Sequence, residues 1–141
     1  EQWKRGAHGN TYGGNPVTCA AAIATLDLVQ REYAANAART GTHFMQRLHG
    51  LARDYPCIGE VRGKGLMIGM ELIEADAERT PARALCEAIV TRAYHNGLLL
   101  LSCGTSTVRF MPPLSVSEAE IDEAVALLRM SLDEALAGRR A

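Results

Sequence analysis

The chain has 141 residues, 48% of them hydrophobic and 22% charged, which suits one globular domain with a buried core and argues against disorder. Its 15 basic and 16 acidic side chains leave a net charge of -1, so no net field favours a nucleic acid or an anionic membrane. No apolar run approaches a bilayer span and no signal-peptide pattern opens the chain, so a cytoplasmic protein with neither a membrane nor a nucleic-acid partner is expected.

The chain opens on Glu1 rather than methionine, which suggests a segment of a longer protein. The stretch "AHGNTYGGNPVTCAAA", Ala7 to Ala22, sets polar residues and paired glycines ahead of small apolar ones. Asn15 and Pro16 are a helix start, a capping side chain followed by proline at the first helical position. That helix is expected over about Pro16 to Gln30, with Ile23, Leu26 and Val29 on its apolar face. A second is expected from about Ala35 to Asp54, with Phe44, Met45, Leu48 and Leu51 recurring on one side. Tyr55-Pro56 ends it, because a residue before proline avoids the helical region.

"IGEVRGKGLMIGMELI", Ile58 to Ile73, reads as strands with a tight turn or bulge at Gly63 and Gly65. The next helix lies in "TPARALCEAIVTRAYHNG", with Thr80 capping, Pro81 in the first turn and Gly97 as the stop. "LLLLS" and "STVRFM" read as two strands around a turn at Gly104. Ser117 and Glu120 then form a capping box for a last helix, which carries Ile121, Val125, Leu128, Leu132 and Leu136 on one stripe. This order predicts an α+β fold, a small and mostly antiparallel sheet with helices on one face, preceded by a loop-helix segment. The predicted boundary lies between residues 1–34 and 35–141.

Cys19, Cys57, Cys86 and Cys103 form no CxxC pair, and the four histidines add no ligand spacing. The expectation is reduced, mostly buried thiols and no metal site. Two readings of the opening loop stand open. Backbone N–H groups around its glycines can form an anion-binding nest before a helix N-terminus, with Asn10 and Thr11 as donors to phosphate oxygens. Alternatively it is an ordinary Gly-Gly turn that Asn15 closes. His8 can order this loop or stack on a ligand, and Tyr12 is an amphipathic ring suited to an interface.

Arg109 alternates with Val108 and Phe110 and so faces away from them. Its guanidinium fork suits a carboxylate, unless it is a solvated arginine on an exposed sheet face. Arg62 poses the same choice and is expected to pair with an acidic residue or a carbonyl near the turn. Lys4 and Lys64 are the chain's two lysines, and neither a polar terminus nor a glycine turn offers the desolvation a Schiff-base lysine needs.

Three segments now stand together: "HGNTYGGNPVTCAAA", "VRGKGLMIGMEL" and "GLLLLSCGTSTVRFMPPLSVSEAEIDEA". In this order they cover most of the chain, and they resemble the C-terminal part of the class III aminotransferases, pyridoxal-phosphate enzymes of fold type I. The match is nearest to the 4-aminobutyrate and acetylornithine/ornithine type. The resemblance implies the C-terminal small domain of that fold, with residues 1–34 from the large-domain side. It implies a homodimer in which Thr11, with Asn10 beside it, touches the cofactor phosphate of the partner subunit. It implies that Arg109 binds a substrate carboxylate. It also implies that the Schiff-base lysine, the aspartate on the pyridine nitrogen, the ring-stacking aromatic and most of the phosphate cup lie upstream. The chain by itself is then inactive, with no catalytic residue of its own. In the complete enzyme an ω-amino acid such as 4-aminobutyrate gives its amino group to a 2-oxo acid such as 2-oxoglutarate. The alternatives are a stand-alone binding or dimerisation module with a phosphate-binding loop, and an aminomutase or racemase of the same family.

Overall fold

The computed structural model describes residues 4, 6–7, 9–74 and 76–139. The elements run α1 (Pro16–Leu28), a π-helical stretch (Val29–Tyr33), α2 (Ala34–Asp54), β1 (Ile58–Lys64), β2 (Met67–Leu72), α3 (Arg83–His95), β3 (Leu101–Cys103), β4 (Thr107–Phe110) and α4 (Glu118–Ala137). Two compact units emerge, Glu1–Ala34 and Ala35–Ala141.

The first unit holds the loop and α1. Asn15 accepts the Thr18 N–H at 3.1 Å and donates its own amide to the Tyr12 carbonyl at 2.8 Å, so the cap fixes both the helix start and the turn before it. The expected apolar face is not buried within the chain: Ile23 and Leu26 are exposed, and α1 buries no side chain. The expected break after Gln30 is also absent. No glycine or proline lies between Pro16 and Gly41, so nothing in the chain stops a helix there, and the π-helical stretch carries it onward.

In the second unit the strands form one antiparallel sheet in the order β1-β2-β4-β3. A turn whose Gly65 has φ of +57° joins β1 to β2, while Gly63 lies within β1. Ile68, Met70 and Leu72 of β2 and Val108 of β4 point inward and are almost fully buried. Against them pack Phe44, Leu48 and Leu51 of α2, Leu85 and Ile89 of α3, and Ile121, Leu128 and Leu132 of α4. The α+β reading therefore holds, with an antiparallel four-stranded sheet and helices on one face. Phe44 meets Phe110 edge to face, with ring centroids 5.1 Å apart, and so anchors α2 on β4.

Two predicted ends need correction. Thr80 does not cap α3; its N–H donates to the Asp76 carboxylate at 2.9 Å, and Pro81 bridges to Ile73 as a short extension of the sheet. The helix starts two residues later, from Ala82, without a side-chain cap. Of "LLLLS", only Leu101 and Ser102 join a strand. The capping box of α4 is complete: Ser117 accepts the Glu120 N–H at 3.2 Å, and the Glu120 carboxylate accepts the Ser117 N–H at 2.8 Å. All four cysteines are free thiols, yet only Cys86 is buried; Cys57 and Cys103 are half-buried and Cys19 is exposed.

Candidate functional site

The outward face of the sheet carries the first candidate. Gly69 of β2 lies between Arg62 of β1 and Arg109 of β4 in a single cross-strand row. One rung along, Glu60 faces Glu71, and Glu71 faces Thr107. Like charges directly opposite each other destabilise a strand pair, and here Arg62 compensates them. Its Nη1 lies 2.8 Å from Glu60 Oε2 and 3.7 Å from Glu71 Oε2. Arg62 thus pairs with acidic neighbours.

Arg109 differs. Val108 and Phe110 on either side of it are buried, whereas Arg109 is exposed, and among the described residues no carboxylate pairs with it. It also borders a cavity of about 300 Å³ whose other lining is mostly apolar, including Leu98, Phe110, Pro112 and Val116. A guanidinium without an internal carboxylate, fixed at its base by a buried strand, is a suitable receptor for a small carboxylate.

The second candidate is the opening loop, in the first unit. Residues 11–14 form a turn, with φ of +78° at Gly14. The Asn10 amide folds back under Gly13, where a Cβ would stand 2.8 Å from both its Nδ2 and its Oδ1. A side chain at 13 would therefore push Asn10 out of the turn. Thr11 is exposed, and among the described residues its hydroxyl has no hydrogen-bond partner. Asn10 and Thr11 are thus together, with Tyr12, which is 80% exposed, beside them. His8 lies outside the described residues. Lys4 and Lys64 are both exposed, so neither sits in a desolvating pocket.

Elsewhere the ionisable groups fasten helices. Tyr55, after α2, donates to Asp133 of α4 at 2.7 Å, and burial, then the Asp133 carboxylate, pushes its phenol up from the ordinary value. Burial likewise raises the thiols of Cys57 and Cys86, which keeps them protonated. Sequence reasoning did not single out Gly69; a glycine inside a run of strand-forming residues was the available signal.

The model of the family described as aminotransferase class-III matches residues 1–132. The chain belongs to the class-III aminotransferase family. It is 39% identical to the acetylornithine aminotransferase of Caldanaerobacter subterraneus over 94% of this chain and 32% of that protein. It is 36% identical to a 5-aminovalerate aminotransferase of Pseudomonas aeruginosa over 92% of this chain and 31% of that one. Among solved structures, an amine transaminase from an uncultivated Pseudomonas species, bound to pyridoxal phosphate, superposes with a TM-score of 0.82 at 36% identity. That match covers 91% of this chain and 30% of the other. The chain thus spans about a third of the length of the relatives it matches.

Family membership brings pyridoxal phosphate as the cofactor. The loop's donors fit its phosphate: the Thr11 hydroxyl, the Asn10 amide and the backbone N–H groups of a glycine turn suit phosphate oxygens. For the aldehyde carbon the fit fails within this class-III chain, because its two lysines are both exposed.

Proposed function

We propose that this chain is the C-terminal part of a pyridoxal-phosphate transaminase that moves an amino group from an ω-amino acid, of the 4-aminobutyrate type, to a 2-oxo acid such as 2-oxoglutarate. The observation that carries the reading is the state of Arg109: exposed and without an acidic partner among the described residues, two strands from an arginine that has such partners. Residues 35–141 act as the small domain, and residues 1–34 join it to the large-domain side. In the homodimer, the loop delivers Thr11 and Asn10 to the partner subunit's cofactor phosphate.

When bound, the cofactor supplies an electron sink next to the reacting carbon. This chain's residues bind and orient. Arg109 takes a carboxylate in its fork and so fixes the direction of the reacting C–N bond. Thr11 Oγ1 and Asn10 Nδ2 donate to phosphate oxygens and hold the anchored end still. The group that moves the proton comes from elsewhere, since no enclosed lysine is present among the described residues. The chain alone is therefore inactive.

Kinetics of the complete enzyme test this. Arg109→Ala is expected to raise KM for 2-oxo acids by roughly 10–100-fold, the worth of a charge-assisted bidentate contact, while cofactor affinity stays the same. Unchanged KM for every acid tried removes the assignment. Thr11→Ala is expected to loosen the cofactor by about tenfold, and unaltered cofactor affinity counts against the loop.

A further inference from the structure

Gly69 is an interior residue of β2, paired on both sides. A glycine there weakens the strand, because it packs nothing and loses the most backbone freedom on folding. The backbone conformation does not demand it. Gly69 is not among the residues with positive φ. A Cβ at that position meets Thr107 Cγ2 at 3.1 Å and the Arg62 carbonyl oxygen at 3.9 Å. The first contact is tight: for a Cβ to fit, the methyl of Thr107, a buried residue, has to give by a few tenths of an ångström. Apart from Gly69's chain neighbours, no other described atom lies within 4 Å, the Arg109 guanidinium included.

Neighbouring strands lie about 4.8 Å apart, so Arg62 and Arg109 leave the backbone about 10 Å from each other with bare peptide between them. The two ends of this row are unequal. Arg62 is occupied by Glu60 and Glu71, whereas Arg109 offers its fork without a described carboxylate. An anion settling on this row is drawn to the Arg109 end. A glycine in a strand interior often marks a bulge, a tight bend or the close approach of a ligand or another backbone, and the register runs through Gly69 without a bulge.

We propose that Gly69 is a specificity-determining residue of the transaminase: the bare floor over which the carbon chain of an acid held by Arg109 lies. The inference rests on the reading of Arg109 as a carboxylate receptor. The acids it admits are unbranched aliphatic carboxylic acids that lie flat on the sheet, and any side chain at 69 takes up the space they need.

The test uses the complete enzyme with its cofactor and glutarate, an unbranched dicarboxylate that cannot accept an amino group. Glutarate affinity is measured by calorimetry, and KM and kcat for 2-oxoglutarate by steady-state kinetics, in Gly69→Ala, Gly69→Val, Arg109→Ala and the double variant Gly69→Ala/Thr107→Ser. Gly69→Val is expected to weaken glutarate and raise KM by about tenfold or more, with kcat falling less than KM rises. Gly69→Ala is expected to do the same to a smaller degree, and Thr107→Ser is expected not to restore binding. Recovery in the double variant overturns the proposal, because the defect is then the crowding of Thr107. Unchanged glutarate affinity in the Gly69 variants, with loss in Arg109→Ala, overturns the floor and leaves the receptor. Unchanged affinity in all of them removes both. If Gly69→Val does not fold, the Gly69→Ala comparison decides.

Discussion

Gly41, in the second turn of α2, sets helix propensity against packing, and the sign of a substitution there is decided by geometry. In an exposed helix interior, replacing glycine by alanine gains about 1 kcal/mol. Gly41, however, is buried against the β1–β2 turn. A Cβ on it would stand 2.8 Å from Gly65 Cα and nearer still to the Gly65 carbonyl group. Those atoms are backbone, and Gly65 is already held at φ of +57°, so the turn has little room to yield. Overpacking of this kind costs about 1–3 kcal/mol or more. Because the obstruction is main chain, we place the net effect of Gly41→Ala at a loss of about 1–3 kcal/mol, propensity gain included. Gly50→Ala is the internal control. It lies in the same helix, and its Cβ would meet only Arg53 Nη2, at 3.9 Å; this substitution is expected to gain up to about 1 kcal/mol. Urea unfolding of the two variants reads the difference directly, with midpoints displaced in opposite directions by up to about 1 M. A Gly41→Ala midpoint at or above that of the unaltered chain would refute the claim that α2 and the hairpin turn meet backbone to backbone.

Two further outcomes follow from the helix ends. Hydrogen bonds from the Ser117 N–H and hydroxyl hold the Glu120 carboxyl below its ordinary value. A depressed carboxyl contributes stability that is fully present above its unfolded value, near 4.5, and is lost as pH falls through the lower folded one. Ser117→Ala is therefore expected to flatten the acid side of the stability-pH curve, and an unchanged acid limb in thermal melts from pH 2 to 7, values chosen to bracket that carboxyl range, would argue against the reciprocal cap. In the isolated chain, amides of Val17 to Leu28 in α1 are expected to exchange faster than those around Phe44 to Leu51, because α1 buries no side chain while α2 buries several. Equal protection in both, measured by hydrogen exchange, would contradict this.

What the sequence made legible was local. Asn15 and Ser117 reach amides three residues away, so their caps could be read from the chain itself. Arg109 was placed outward because alternation along one strand is also local. Thr80 misled for the opposite reason. Its amide is taken by Asp76 and the next residue is held by Ile73, and no capping rule anticipates a sheet contact. The same limit hid Gly69. Its place beside Arg109 follows from β2 pairing on its second side with β4 instead of β3, and register between distant strands is not written in either strand alone. For Asn10 and Thr11 the residue types and glycines were legible, whereas the folding of the Asn10 amide beneath Gly13 was not.

The strand order has a consequence for how this chain behaves in concentrated solution. β1 and β3 are the sheet's edges, and an open edge invites another chain to add a strand. β3 is only three residues long. β1 is longer, but its pairing slips between Ile58 and Glu60, and its outward positions carry Glu60, Arg62 and Lys64. A short edge on one side and an irregular, charged one on the other give a fibril little to grow from. Glu60 and Arg62 thus do more than pair with each other: as charges on an edge strand they also disfavour its pairing with a second copy.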